Sequence, residues 1–63
     1  MQIGDYIKFT YFDSFHEGKI LKIYTQVGGK HHNEEVVSVL VDTWSGIFAN
    51  TTINILKKHI KLL

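Results

Sequence analysis

The amino-acid sequence predicts a single all-β domain in which five short strands form a small closed or half-closed barrel. Apolar runs of strand length recur at roughly 8–12-residue spacing and are separated by turn-forming residues. Before the C-terminal region, no segment has the period of an amphipathic helix. Because no such helix is available to cover an open sheet, we expect the sheet to close on itself and bury its apolar face.

The size and composition of the chain fit one small domain over residues 1–63. Hydrophobic residues make up 44% and charged residues 21%, which suits a folded chain with a thin stability margin. Cysteine is absent, which excludes disulfides and thiolate metal sites. There is no apolar run long enough for a membrane-spanning helix and no signal-peptide pattern at the start. We therefore expect a cytoplasmic protein without a membrane partner.

The first strand is predicted over residues 5–12. Apolar side chains alternate there with Lys8 and Thr10, so one face points inward and carries Ile7, Phe9 and Tyr11. The following residues, 13–18, are rich in turn formers and are expected to separate the first strand from the second.

The second strand is predicted over residues 19–25, followed by a hairpin loop at residues 27–35, VGGKHHNEE. The apolar spacing of three from Ile20 to Ile23 predicts a β-bulge. Gly28, Gly29 and Asn33 tolerate positive φ, so this loop is expected to turn the chain and expose its histidines at the tip.

The remaining elements follow in quick succession. A third strand over residues 36–42 is rich in β-branched residues, and its inward face carries Val37, Val39 and Val41. A tight connection at residues 44–46 leads to a fourth strand over residues 47–53. Residues 54–59 are too few for an independent helix and predict a helical turn, and residues 60–63 form the last strand.

Four short motifs carry a resemblance to a known fold. They are GDYI at residues 4–7, EGKI at 17–20, VLVD at 39–42 and INILKK at 53–58. With the order of the elements, they resemble the SH3-like barrel of KOW, Tudor-like and related small bacterial domains. The order that carries the resemblance is a long excursion between the first two strands, three meander strands, a single helical turn and a short last strand. The resemblance implies a five-stranded barrel with one short 3-10 turn before the last strand. That superfold binds RNA, DNA, methylated peptides or proline motifs, so it leaves the ligand open.

The histidines do not predict a metal site. Zinc needs three or four converging ligands, whereas adjacent His31 and His32 on an extended chain point to opposite sides. The turn chemistry of the loop already explains this segment. We expect no metal and no other cofactor.

Catalysis is equally unsupported by the residue pattern. Ser14, Asp13 and His16 lie within one turn, where a nucleophile, its base and a third group rarely align. A barrel this small also has little interior for a water-excluding pocket. We expect a protein that is not an enzyme.

Aromatic residues beside turns are the first candidates for binding. By the resemblance, Phe12, Phe15 and Trp44 form a rim patch that stacks a nucleobase or grips a peptide. The alternative is that they plug the open ends of the barrel. Trp44, beside Gly46, is the strongest single candidate, since large aromatic residues dominate binding hot spots.

Lysines are the second set of candidates. All seven cations of the chain are lysine, and the formal net charge is only +1. One basic cluster lies near the C-terminus and consists of Lys57, Lys58, His59 and Lys61. A second group runs from the second strand into the hairpin loop, where Glu34 and Glu35 partly neutralise it; its members are Lys19, Lys22, Lys30, His31 and His32. On a shared face the two groups would follow a phosphate backbone with strong salt dependence, and the alternative is a solvated face that keeps strand edges soluble.

Two functional hypotheses follow. The first is a small nucleic-acid-associated accessory or regulatory protein that uses these lysines for phosphates and the aromatic patch for stacking. The second is a protein-interaction module, such as a phage-type modulator of a host protein, that binds through the aromatic rim or a strand edge and is able to form a homodimer. The absence of proline and arginine suggests AT-rich coding, as in low-GC bacteria and their phages.

Overall fold

The structure, a computed structural model, describes residues 1–44 and 47–63, and the side chains of residues 1–43 and 50–63. The described chain is all-β, as the sequence predicts. Its elements are β1 (Tyr6–Tyr11), β2 (Ser14–Thr25), β3 (Glu35–Trp44), β4 (Ile47–Leu56), a 3-10 turn (Lys57–His59) and β5 (Ile60–Leu62).

The five strands form one antiparallel sheet in the order β4-β3-β2-β1-β5. β5 pairs with β1 over three residues, from Phe9 with Leu62 to Tyr11 with Ile60. Across the described residues the ladder runs from β4 at one edge to β5 at the other, and the sheet does not close. The five strands and one 3-10 turn are confirmed, whereas the predicted closure into a barrel is not. The turn is shorter than predicted, because residues 54–56 continue β4 by pairing with β3. The predicted tight connection at residues 44–46 includes residues 45–46, which lie outside the described part of the chain.

The predicted excursion between the first two strands is wrong. β2 begins at Ser14, which pairs with Tyr11, so only Phe12 and Asp13 lie between the strands. The polar residues after Asp13 resemble a turn in sequence, but they pair with β1 in continuous register. His16 and Gly18 are buried within this ladder, so tertiary pairing has overridden local turn propensity.

The bulge predicted in the second strand is confirmed. The β2–β3 register shifts between Ile20 and Lys22, and Ile23 returns to the core side beyond it. A second shift lies between Glu17 and Gly18. These irregularities bend the longest strand, which spans 12 residues, and allow it to pair with both β1 and β3.

The core lies on one face of the bent sheet. Val37, Val39 and Val41 are fully buried as predicted, and they pack with buried residues of the other strands: Ile7, Phe9, Ile20 and Ile55. Tyr11, predicted to face inward, packs against this core but is only partly buried. Burying one such aliphatic or aromatic side chain contributes about 1.5–3 kcal/mol, so the sheet depends on a small number of contacts.

The backbone of β2 lies close to that of β3 at Gly18. A Cβ at this position would lie 2.3 Å from the carbonyl oxygen of Leu40. Glycine is therefore required at this point, where β2 pairs with β3.

Within the described part of the chain, no helix has the length and apolar character needed to span a membrane.

Candidate nucleic-acid interface

An aromatic cluster, defined here as Tyr11, Phe12 and His59, joins the β1–β2 turn to the 3-10 turn. The ring centroids of Tyr11 and Phe12 lie 4.6 Å apart, and those of Phe12 and His59 lie 5.1 Å apart. Tyr11 and His59 complete the triangle at 6.1 Å. All three contacts are tilted, a geometry that aromatic rings favour over direct face-to-face stacking.

Phe12 is the exposed member of this cluster. Its side chain is 68% exposed, the largest exposure of any described aromatic residue, and its backbone has φ of 49°. A side-chain-bearing residue in this left-handed region costs about 1–2 kcal/mol relative to ordinary backbone. The turn thus holds an apolar ring in water on a strained backbone, a combination that is typical of functional positions.

Lys61 lies next to the aromatic cluster on β5. It pairs with Thr10 of β1, and both residues line a cavity of about 440 Å³ together with Phe12 and Asp13. Lys61 takes part in none of the ion pairs among the described residues. A flat ring and a lysine ammonium therefore share the rim of one cavity, and the acidic residue Asp13 also lines it.

Lys57 and Lys58 differ from Lys61 because each forms an ion pair with an acidic residue. The Nζ atom of Lys57 lies 3.6 Å from Glu35 Oε1, and Lys58 donates a hydrogen bond to Glu34 Oε1. The four side chains line a cavity of about 500 Å³. The structure thus brings the two predicted basic groups into one region, but carboxylates of the hairpin stand between them.

Glu34 connects the 3-10 turn to the hairpin loop. Its Oε2 atom lies 2.5 Å from His31 Nδ1, while its Oε1 atom accepts from Lys58. The Lys58 hydrogen bond, followed by the His31 hydrogen bond, lowers the pKa of this carboxyl below its ordinary value. Glu34 is therefore held as a carboxylate by two partners.

The hairpin tip is ordered by its own backbone. Gly28, Gly29 and Asn33 have positive φ, as predicted. The amide of Gly28 donates to His32 Nδ1 at 2.6 Å. Lys30, His31 and His32 are exposed at this tip, as expected, and among the described side chains no group of three or more potential ligands could hold a metal ion.

The other predicted aromatic residues are placed differently. Phe15 lies within β2, opposite Thr10, and is half-buried instead of standing in a turn. Trp44 ends β3, where its backbone pairs with His16 and Ile47, but its side chain lies outside the described side chains. The predicted role of Trp44 in the patch therefore stays a prediction. Of the three predicted rim aromatics, Phe12 is the one that the described structure places in the aromatic cluster with its ring exposed.

Two polar features escaped the sequence interpretation. His16 is fully buried beneath the aromatic cluster, 5.4 Å from the Phe9 ring and 6.3 Å from the Tyr11 ring. Burial lowers the pKa of this imidazole. The alternation of His16, Gly18 and Ile20 at every second position was the sequence signal that could have revealed it.

The second missed feature is a carboxylate pair around Tyr6. The Tyr6 hydroxyl donates to Asp42 Oδ1 at 2.8 Å and also lies 3.1 Å from Glu17 Oε2. Hydrogen bonding to Asp42, with smaller contributions that include Glu17, raises the pKa of Tyr6 to about 12. Because these residues lie on three strands, only the sheet register brings them together.

Comparison with protein-family models, with curated proteins and with solved structures finds no match for this chain. The fold and the site define it as a small all-β domain with an exposed aromatic and basic surface at the junction of β1, β5 and the 3-10 turn.

Proposed function

We propose that this protein is a non-catalytic binding module, with an accessory or regulatory role, that contacts single-stranded nucleic acid through the aromatic cluster and Lys61. The observation that carries this proposal is the exposed ring of Phe12, held by Tyr11 and His59 and sharing a cavity rim with Lys61.

The chemistry of the two groups is complementary to a single strand. Unpaired bases stack on exposed aromatic rings, and each such contact is worth about 1–3 kcal/mol. A lysine beside the ring supplies a cation for the adjoining phosphate. A duplex offers no free base face, and without arginine the chain lacks the usual bidentate reader of guanine. Binding is therefore expected to favour single strands and to discriminate weakly between sequences.

For the fold, an SH3-like barrel remains our proposal. The β2–β3–β4 meander and the 3-10 turn immediately before a short last strand support it. The two-residue β1–β2 turn departs from the long excursion that the sequence predicts and on which the resemblance partly rests. In this chain, the exposed Phe12 at that short turn takes the place of a long binding loop.

The experiment is fluorescence anisotropy with a short labelled oligothymidylate, titrated at several salt concentrations. We expect affinity to fall as salt rises, and Lys61→Gln to reduce the salt slope by about 0.7, the value for one phosphate contact to a single strand. The matched control is Lys19→Gln, which removes the same charge at the opposite end of the β1–β2 ladder from Phe12. Absence of binding at low salt, or equal effects of the two substitutions, contradicts the proposal.

A second candidate function rests on the sheet edges. β4 is a ten-residue edge strand, and Leu62 and Leu63 at the other edge are 56% and 76% exposed. Such edges accept an added strand from a partner protein or from a second copy of the chain. Analytical ultracentrifugation that shows a dimer, or stoichiometric capture of one protein that Leu62→Lys abolishes and Lys61→Gln does not, would favour this function over nucleic-acid binding.

A further inference from the structure

The ion pairs of Lys57 and Lys58 lie just beyond the end of the β3–β4 ladder. Val36 of β3 pairs with Leu56 of β4 at the end of that ladder. Glu34 and Glu35 immediately precede Val36, and Lys57 and Lys58 immediately follow Leu56 in the 3-10 turn. The end of the ladder therefore brings the two acidic residues and the two lysines close together.

The hairpin loop fixes its acidic residues in this position. The amide of Gln26 donates to the carbonyl of Glu34 at 2.8 Å, and the amide of Glu34 donates to the carbonyl of His31 at 3.0 Å. His31 also holds the Glu34 carboxylate through its Oε2 atom. The backbone of the loop and one imidazole therefore present Glu34 to Lys58.

A carboxylate and a phosphodiester offer the same kind of acceptor to a lysine ammonium. Both are anionic oxygens that form charge-assisted hydrogen bonds. The groove lined by Glu34, Glu35, Lys57 and Lys58 is open and adjoins Ile60, which follows His59 of the aromatic cluster. Because His59 directly follows Lys57 and Lys58 in the 3-10 turn, we expect a strand that stacks on Phe12 beside His59 to come close to these lysines.

We propose that Glu34 and Glu35 act as an intramolecular competitor that occupies the phosphate-binding positions of Lys57 and Lys58 until a nucleic-acid strand displaces them. This inference rests on the proposed function and adds a regulatory device to the same surface. It also accounts for lysines that carry acidic partners within a surface proposed to bind phosphate.

The solvent exposure of the two ion pairs determines how strongly Glu34 and Glu35 are expected to reduce the affinity for nucleic acid. The Lys58 side chain is 58% exposed and that of Glu34 is 30% exposed, and the Lys57–Glu35 pair is open to a similar degree. Pairs in such an environment are screened by solvent and are weak. Each is therefore expected to lower affinity by about two- to fivefold, so the carboxylates reduce binding without blocking it.

The test is anisotropy with the same labelled oligothymidylate and the variant Glu34→Gln/Glu35→Gln. We expect about five- to twentyfold tighter binding at low salt and a salt slope steeper by about 0.7 for each released lysine. The gain is expected to disappear when Lys57→Gln and Lys58→Gln are added. Circular dichroism and thermal unfolding check that every variant is folded.

The matched control is Glu17→Gln/Asp42→Asn, which changes the net charge by the same amount at the Tyr6 site, on β2 and towards the opposite end of β3 from Glu35. We expect it to leave the salt slope unchanged. An equal gain in both double variants, or no gain in Glu34→Gln/Glu35→Gln while the wild type binds, overturns the inference alone. Absence of binding by both the wild type and Glu34→Gln/Glu35→Gln overturns the proposed function as well.

Discussion

The ring of Phe12 lies 5.1 Å from the imidazole of His59, which joins the β1–β2 turn to the 3-10 turn. These residues are far apart in sequence and meet only because β5 returns to pair with β1. The contact creates a surface that neither segment has alone. It also places an exposed aromatic ring on the cavity that Lys61 of β5 lines, in contact with His59, which follows Lys57 and Lys58 in the 3-10 turn.

Phe12 is expected to lower the stability of the fold, through its positive φ, and to raise the affinity for nucleic acid, through its exposed ring. Phe12→Gly removes the ring and relieves the positive φ, whereas Phe12→Ala removes the ring but keeps a Cβ in the left-handed region. We therefore expect the glycine variant to be more stable than the alanine variant by about 1 kcal/mol. Both variants should lose affinity for oligothymidylate by about 1–3 kcal/mol.

Chemical denaturation and anisotropy measure the two quantities on the same samples. Phe12→Tyr is the control, since it keeps a stacking ring and should retain binding. Equal stability of the glycine and alanine variants would show that the turn does not strain Phe12.

Gly18→Ala is expected to destabilise the sheet strongly. The added methyl group would lie 2.3 Å from the Leu40 carbonyl oxygen, so β2 and β3 would have to separate. Overpacking of this kind costs about 1–3 kcal/mol, and the backbone contact points to the upper end of that range. Gly28→Ala is an instructive contrast because no atom lies within 4 Å of its added Cβ, and its cost comes from the positive φ alone. A denaturation midpoint for Gly18→Ala close to that of the wild type would contradict the close approach of the β2 and β3 backbones at this position.

His16 is expected to make the fold sensitive to acid. Its pKa is lowered by burial, so the folded protein keeps the imidazole neutral at a pH where the unfolded chain already binds a proton. The unfolded state is therefore favoured as pH falls below about 6.5, and the loss continues until the pH passes the folded-state pKa. The free energy of unfolding, measured by urea denaturation, should decrease as the pH is lowered from about 7 to about 5.

The variant His16→Phe provides the comparison for this pH dependence. Phenylalanine is close in size and suits the neighbouring Phe9 and Tyr11 rings, so the variant should fold. Its stability should vary less with pH over this interval. Identical pH profiles for the wild type and His16→Phe would rule out this role.

Tyr6 is expected to ionise late. Its pKa is raised to about 12, mainly because the hydroxyl donates to Asp42 and must lose that hydrogen bond on ionisation. Since the folded-state pKa exceeds the ordinary value of 10.0, the stabilisation is complete below pH 10.0 and is lost as pH rises towards 12. Ultraviolet titration of tyrosinate should show a step near 12 that Tyr6→Phe removes and Asp42→Asn moves downwards. If Tyr6→Phe instead removes a titration step near 10.0, the hydrogen bond from Tyr6 to Asp42 does not raise the pKa of Tyr6, and the prediction is wrong.

Much of the sheet could be predicted because the local pattern and the tertiary pairing agree. Alternation identified the buried valines of β3, and the spacing from Ile20 to Ile23 identified the bulge. The beginning of β2 could not be predicted, since Ser14 and Glu17 favour turns and are strand residues only because β1 lies opposite. Local chemistry and long-range pairing disagree there, and long-range pairing prevails.

The candidate site could be predicted only in part, for a related reason. Phe12 was identified from its place beside a turn, and the basic clusters were identified from composition. The contact of Phe12 with His59, and the pairing of Lys58 with Glu34, depend on which strand ends meet. Register is a property of the folded sheet, so a sequence pattern identifies the groups but not their partners.

The most direct test of the proposed interface is an NMR titration of the ¹⁵N-labelled protein with oligothymidylate at low salt. We predict that the largest amide shift changes occur at Phe12, His59 and Lys61, and that smaller changes occur at Lys57 and Lys58. Spectra that stay unchanged, or changes confined to β4 or to the hairpin tip at Lys30, would contradict the account.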